Sequence, residues 1–402
     1  MATGRFQEVF VQFLKLGLTS FGGPIAHIGY FRRRFIEELR WVDDRTFAEL
    51  LALANLMPGP SSSQMGMAIG FHRAGWPGVA AAWLAFTLPS AFLLILFALG
   101  ASQILESDID WLHGFKLVVV AVVAQAVFDM AQKLCPTWKH AAIAVAGAVL
   151  ALLLGGPFSQ LAVLALGALL GLAFLQHGQE SDAPAPDAGR MTTRLGLVLI
   201  AIFALLLLAL PVLALGGSEV LGLLSGLYRS GALVFGGGHL VLPLLAETTV
   251  QPGFIDQDIF LAGYGAAQFV PGPLFSFAAY LGFTNTTALS GLFGAMVCLV
   301  MLFIPSVLLM FGVLPFWSKL RANLRARKAI DGVCAAVVGL LAAALIDPIM
   351  PSAIHSWLDI FVAGLAFALL MSKRLPVLAV IAGCAVLGIF IEIAPITAPV
   401  AG

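Results

Sequence analysis

Apolar residues along this chain do not alternate with polar ones. They run in continuous blocks rich in Leu, Ala and Val, separated by short polar interruptions. A membrane-spanning helix needs about 20 consecutive apolar residues. Blocks near that length occur at 9–30, 47–70, 78–100, 113–134, 195–215, 221–248, 259–283, 288–314, 329–346, 355–371 and 375–393. Two shorter blocks, 140–154 and 157–175, flank Gly155-Gly156-Pro157 and predict a tight helical hairpin. A membrane β-barrel would show alternation within strands of ~10 residues, so the pattern predicts an all-α, polytopic membrane protein. One stretch, 176–194, is polar and contains Pro, Gly and Ser, and reads as an aqueous linker.

Composition narrows the class. Of 402 residues, 60% are apolar and 10% charged, with a mean hydropathy of +1.01. Soluble chains carry about 25% charge, which excludes an ordinary soluble enzyme. Lys and Arg total 21 and Asp and Glu total 21. A nucleic-acid partner is therefore not expected, since it calls for a basic surplus; the expected surroundings are the lipid bilayer. Cys135, Cys298, Cys334 and Cys384 are scattered without metal-ligand spacing and read as small buried hydrophobes. No metal and no cofactor is expected. The first residues lack the charged, apolar and cleavage regions of a signal peptide in order, so the first apolar block is expected to be retained.

The chain resembles itself at an offset of 213–218. Lys15 falls on Arg229, Gly17 on Gly231, and Phe21-Gly22-Gly23 on Phe235-Gly236-Gly237. Trp41-Val42-Asp43 falls on Phe254-Ile255-Asp256, Asn55 on Gln268, Pro58-Gly59-Pro60 on Pro271-Gly272-Pro273, Pro89-Ser90 on Pro305-Ser306, and Gly114 on Gly332. These matches predict a first transport repeat at 1–175, the linker at 176–194, a connecting transmembrane helix at 195–215 and a second repeat at 216–402. Loop 31–46 holds Arg32, Arg33, Arg34, Arg40 and Arg45, while its counterpart 249–258 holds no base. In the second half the bases lie instead at Lys319, Arg321, Arg325, Arg327 and Lys328, and their counterpart 101–112 is acidic. Basic short loops stay on the cytoplasmic side, so the repeats are predicted to have inverted topology, as in many secondary transporters. The same count leaves one crossing too many between loops 31–46 and 101–112. Segments 47–70 and 259–283, with Pro-Gly-Pro at their middles, are the candidates for broken or re-entrant helices.

Proline removes a helix hydrogen bond, and glycine lets backbone approach a ligand. Phe21-Gly22-Gly23-Pro24, Pro58-Gly59-Pro60, Phe235-Gly236-Gly237-Gly238 and Pro271-Gly272-Pro273 therefore predict four helix breaks. Breaks within lipid depth are tolerated where they line a cavity or are buried in protein. A restarted helix presents unpaired N–H groups and a partial positive charge, which suits an anion. Lys15 and Arg229 each lie six residues before the aromatic of their Phe-Gly-Gly motif. A cation in such a run needs a partner or an aqueous cavity, although Lys15 could also snorkel to the interface.

The candidate substrate-binding set is Lys15, Ser20, Gly22, Gly23, Asn55, Gly59, Gln64, Arg229, Gly236, Gly237, His239, Gln268 and Gly272. Thr19 stands near it. Ser61-Ser62-Ser63 can cap the restarting helix, and their second-half counterparts are read as apolar. His27 and His239 flank the two Phe-Gly-Gly motifs, where anion contact, proton coupling and a satisfied core histidine are all open. Gly167 and Gly171 predict close helix packing. There is no HExxH and no pair of buried aspartates, so an intramembrane enzyme is not expected; a channel is the other rival class.

Together Gly17–Phe31 (GLTSFGGPIAHIGYF), Pro58-Gly59-Pro60 followed by Gln64, Phe235–Leu245 (FGGGHLVLPLL) and Ala267–Phe275 (AQFVPGPLF) resemble the chromate ion transporter family, in its long form with two domains in one chain. The resemblance covers both halves. It implies a multi-pass protein of the cell inner membrane that exports chromate from the cytoplasm and so confers chromate resistance. It also implies a relation to sulfate, whose shape and charge chromate shares. Import or exchange of sulfate or a related oxyanion is the alternative reading, and a homo-oligomer is left open.

Overall fold

The computed structural model describes residues 2–104, 112–154, 159–176, 191–234, 241–372, 379–380 and 383–384. Among them every regular element is helical. The first half contains α1 (Ala2–Thr19), α2 (Gly23–Arg32), α3 (Asp44–Leu56), α4 (Ser61–Ala74), α5 (Trp76–Ile104), α6 (Leu112–Leu134), α7 (Trp138–Leu154) and α8 (Ser159–Phe174). After α9 (Thr193–Ala214) come α10 (Glu219–Leu233), α11 (Val241–Leu245), α12 (Gln257–Ala267), α13 (Phe277–Thr284) and α14 (Gly291–Val313). The chain continues with α15 (Trp317–Ala322), α16 (Leu324–Ala344), α17 (Met350–Ala353) and α18 (Trp357–Ser372).

The helices stop where glycine and proline stand. Between α1 and α2, Gly22 (φ 98°) and Gly23 (φ 74°) take the left-handed backbone that side-chain-bearing residues avoid. Between α3 and α4, Gly59 (φ 124°) turns the chain. Helices α3 and α4, of 13 and 14 residues, are each roughly 20 Å long at 1.5 Å per residue. Neither arm alone crosses a hydrocarbon core of about 30 Å, so the expected break at 47–70 is present. The second half breaks alike: α12 ends at Ala267, Gly272 has φ 95°, and a 3₁₀ turn, Leu274–Ser276, leads into α13. By contrast α5 and α14 stay continuous through Pro89 and Pro305.

Smaller features also recur at the same offset. A π-helical stretch, Arg33–Glu38, follows α2, and another, Ala246–Val250, follows α11. Asp43 caps α3 by accepting the Thr46 amide (2.7 Å), and Asp256 caps α12 by accepting the Ile259 amide (3.3 Å). The basic loop after α2 carries exposed ion pairs: Arg32 with Glu37 (2.6 Å) and Asp44 (2.7 Å), Arg33 with Glu38 (3.2 Å), and Arg34 with Glu38.

The chain folds into two compact units, each drawing on both halves. The first comprises Met1–Ala98, Gly178–Ile255 and Val270–Ala326; the second comprises Leu99–His177, Asp256–Phe269 and Arg327–Gly402. In the first unit an aromatic core joins α1, α2, the π stretch and α5: Phe13 stacks on Phe35 (4.8 Å) and Phe31 meets Phe86 edge-on (5.3 Å). Gly17 lets α1 press on α5, since a Cβ there would lie 2.7 Å from the Ala85 carbonyl oxygen. Gly231 does the same for α10 against Leu302 of α14. Helix α9 exposes Leu197, Leu205, Leu208 and Val212. A 22-residue apolar helix facing outward suits lipid.

In the second unit α6 packs on α18 through Leu117, Val118 and Ala121 against Val362 and Ala366. Gly167 and Gly171 of α8 face α16, where a Cβ on Gly167 would lie 2.6 Å from the Gly332 carbonyl oxygen. The small-residue pattern there serves helix packing, as expected. Among the described residues five helices are long and apolar enough to cross a membrane: Trp76–Gly100, Lys116–Leu134, Thr193–Ala214, Gly291–Phe316 and Leu324–Asp347. Most of the block at 375–393, the hairpin loop around Gly155 and most of the linker lie outside the described residues.

Candidate functional site

Within the first unit each Pro-Gly-Pro break meets the end of a helix from the other half of the chain. The Gly59 amide donates to the Val234 carbonyl (2.6 Å), at the end of α10. The Gly272 amide donates to the Ser20 carbonyl (2.8 Å), just past α1. Each Pro-Gly-Pro break thus docks on the residue just before the other half's Phe-Gly-Gly motif. In such an exchange each half offers the same donor and the same acceptor to the other, as in an isologous two-fold contact. A serine from a proline-containing long helix stands at each junction: Ser90 of α5 at Gly272 and Ser306 of α14 at Gly59. A Cβ on either glycine would collide with that serine's hydroxyl. Trp83 of α5 meets Phe303 of α14 (5.6 Å), which meets Phe275 beside the second Pro-Gly-Pro (5.8 Å), so a run of aromatic rings links the two long helices to the second junction.

The junctions are wired differently. At the second, the Ser90 hydroxyl donates to the Pro271 carbonyl and the Ser276 hydroxyl to the Pro273 carbonyl (2.6 Å). At the first, the Pro58 carbonyl accepts instead from Gln64 Nε2 (2.7 Å). The position equivalent to Gln64 is Phe277, which has no donor. Ser306 Oγ and Ser63 Oγ, the counterparts of Ser90 and Ser276, are buried and have no hydrogen-bond partner among the described residues. The expectation that the counterparts of Ser61-Ser62-Ser63 are apolar holds for Leu274 and Phe275 but fails at the third position, which is Ser276.

The structure gathers part of the expected residue set. Ser20, Gly59, Gln64 and Gly272 lie in the junctions, and Gly22 and Gly23 follow Ser20 after Phe21. Arg229, on the helix ending at the first junction, is 6% exposed; Glu247 acts on it through space, and its Nε has no hydrogen-bond partner among the described residues. Lys15, on the helix ending at the second junction, is exposed, and the Thr19 hydroxyl turns back to its carbonyl (2.8 Å). Asn55 is exposed. Gln268 belongs to the second compact unit, beside the Tyr264 hydroxyl. Gly236, Gly237 and His239 lie outside the described residues. His27 is buried against Phe86 (5.2 Å), with Nε2 at the Ser20 carbonyl (3.2 Å).

Sequence reasoning missed the roles of Ser90 and Ser306, whose signal was the repeated Pro-Ser pair, read only as a match between halves. Six buried donors of this unit lack a protein acceptor among the described residues: Ser20 Oγ, Ser63 Oγ, Trp83 Nε1, Thr87 Oγ1, Arg229 Nε and Ser306 Oγ. Buried polar groups are normally paired. Hydroxyls and a guanidinium left without acceptors are the groups that pair with an oxygen-rich ligand, although the acceptors Gln64 Oε1 and His27 Nδ1 of this unit are unpaired as well.

Comparison with known proteins follows the same line. The family model for the chromate transporter matches residues 7–172 and 221–389. The chain is 31% identical over 389 residues to the probable chromate transport protein of Synechococcus elongatus, covering 92% of this chain and 93% of that one. It is 29% identical over 406 residues to the chromate transport protein of Pseudomonas aeruginosa (95% and 92%) and 27% identical over 412 residues to that of Cupriavidus metallidurans (96% and 93%). No solved structure matches the chain. With both halves matched and the relatives covered nearly end to end, the chain belongs to the chromate transporter family of multi-pass membrane proteins.

Proposed function

We propose that this protein exports chromate from the cytoplasm across the cell inner membrane, as a carrier built from two inverted repeats, and so confers chromate resistance. The domain division is that of the sequence: repeats at 1–175 and 216–402, joined by the linker and the crossing at 195–215. The observation that carries the reading is the exchanged docking of the breaks, Gly59 on Val234 and Gly272 on Ser20. Two halves that interlock at their own interruptions have a pivot, and rocking one repeat on the other is how inverted-repeat carriers alternate access. The unpaired donors and Arg229 supply the chemistry for a tetrahedral dianion. A potential of 100 mV, inside negative, favours exit of a dianion by roughly 4.6 kcal/mol, at ~2.3 kcal/mol per charge.

The test is uptake of chromate and of sulfate into inverted membrane vesicles. Chromate uptake that saturates and is stimulated by chromate on the far side is expected; unsaturable flux would make the protein a channel, and a preference for sulfate would make it a sulfate carrier. Arg229→Ala is expected to lower chromate flux at least tenfold, and Lys15→Ala to lower it less. Normal transport by both variants overturns the cationic site. For the inversion, cysteines placed in 31–46 and 249–258 are expected to label from opposite sides.

A further inference from the structure

The two junctions are built on one plan, but only one of them has its donors available. At the second, both hydroxyls are occupied: Ser90 donates to Pro271 and Ser276 to Pro273. The Ser276 amide also bonds the Pro273 carbonyl (3.0 Å) in a tight 3₁₀ turn. At the first, Gln64 takes over the carbonyl of Pro58, and helix α4 begins directly with its own ladder, the Gln64 amide bonding Pro60 (2.9 Å). The amides of Ser61, Ser62 and Ser63 precede that ladder, and Pro60 places no side-chain cap on them. Beside this uncapped end, Ser306 Oγ, from a fully buried side chain, stands against Gly59 without a partner. Ser63 Oγ, 3% exposed, is equally unpartnered. The buried cation is on the same side, since Arg229 lies on the helix whose end accepts from Gly59, whereas the helix serving the second junction carries the exposed Lys15.

We propose that the transported oxyanion is held at the first junction alone, by the first amides of α4 together with the hydroxyls of Ser63 and Ser306, while the second junction is a closed latch. Gln64 is the positioning residue: by satisfying the Pro58 carbonyl it leaves Ser306 free to face the anion. A helix start favours negative charge through its dipole and its open N–H groups, and the two hydroxyls donate to the oxygens those amides do not reach. This assignment rests on the transport reading above and adds which break binds.

The test compares KM and kcat for chromate uptake in inverted vesicles for Ser306→Ala, Ser306→Thr and Ser90→Ala, alongside thermal unfolding of each purified protein with and without chromate. Ser306→Ala is expected to raise KM roughly tenfold, the effect of losing a hydrogen bond to a charged group. Its melting temperature without anion should be unchanged, and its stabilisation by chromate should be lost. Ser306→Thr, which keeps the hydroxyl, is expected to restore KM. Ser90→Ala is expected to lower the melting temperature and leave KM within twofold of wild type. A wild-type KM in Ser306→Ala, or an equal rise in Ser90→Ala, overturns the assignment while leaving oxyanion transport standing. Wild-type protein that neither transports nor is stabilised by chromate or sulfate overturns the transport reading itself.

Discussion

The Pro58 and Pro271 junctions share a backbone and differ in what satisfies it. Both turn on a left-handed glycine that donates across to the other half, and both are backed by a serine from a proline-containing helix. At Pro271 that serine closes the break by donating to its carbonyl, whereas at Pro58 the side chain of Gln64 does so from within the same segment. One residue, Gln64 in place of Phe277, thus shifts a hydroxyl from structural to available. A duplicated scaffold can keep the same backbone exchange in both copies while its side chains differ, because a single donor substitution leaves that exchange in place.

The largest test of the comparison strikes what the junctions share. Gly59→Ala and Gly272→Ala each force a side chain into a strained backbone, at about 1–3 kcal/mol, and against a serine, where overpacking adds about 1–3 kcal/mol. Gly23→Ala meets open space and only the left-handed penalty of ~1–2 kcal/mol. Thermal unfolding should rank the first two well below the third; equal losses would mean that the junctions are not close-packed.

A smaller effect sharpens the difference between them. Gln64→Met, close in shape, frees the Pro58 carbonyl, to which Ser306 can then donate as Ser90 does to Pro271. Chromate KM is expected to rise several-fold with little loss of stability, while Phe277→Met leaves KM alone. An unchanged KM in Gln64→Met would separate the carbonyl from the binding of the anion.

The smallest effect lies outside the junctions. Accepting the Thr46 amide and hydroxyl holds the Asp43 carboxyl below its ordinary range. Its folded pKa therefore lies below its unfolded one, so the ionised cap stabilises the fold above the unfolded pKa. That contribution fades as pH falls through the folded value. Asp43→Asn keeps a cap but should remove this part of the acid sensitivity, read as a flatter fall of melting temperature below pH 5. An identical acid profile would show that the cap is not felt.

The positions of the breaks were legible in the sequence because glycine and proline act locally: Gly22, Gly59 and Gly272 turn the chain where the motifs placed them. Which break meets which was not legible, since Gly59 on Val234 joins residues far apart in the chain and no local pattern encodes it. The two π stretches carry no compositional mark. Lys15 and Arg229 read as equivalents, yet one is exposed and the other buried, because burial depends on the helices packed around each. Asn55, chosen for its spacing from Pro58, points to the exposed side of α3.

The most direct test locates the anion itself. In crystals of the protein soaked with chromate, anomalous scattering at the chromium edge should give one peak, at the start of α4, with an oxygen in hydrogen-bond reach of Ser306. A peak at the Ser90 junction, or in a place touching neither break, would contradict the account.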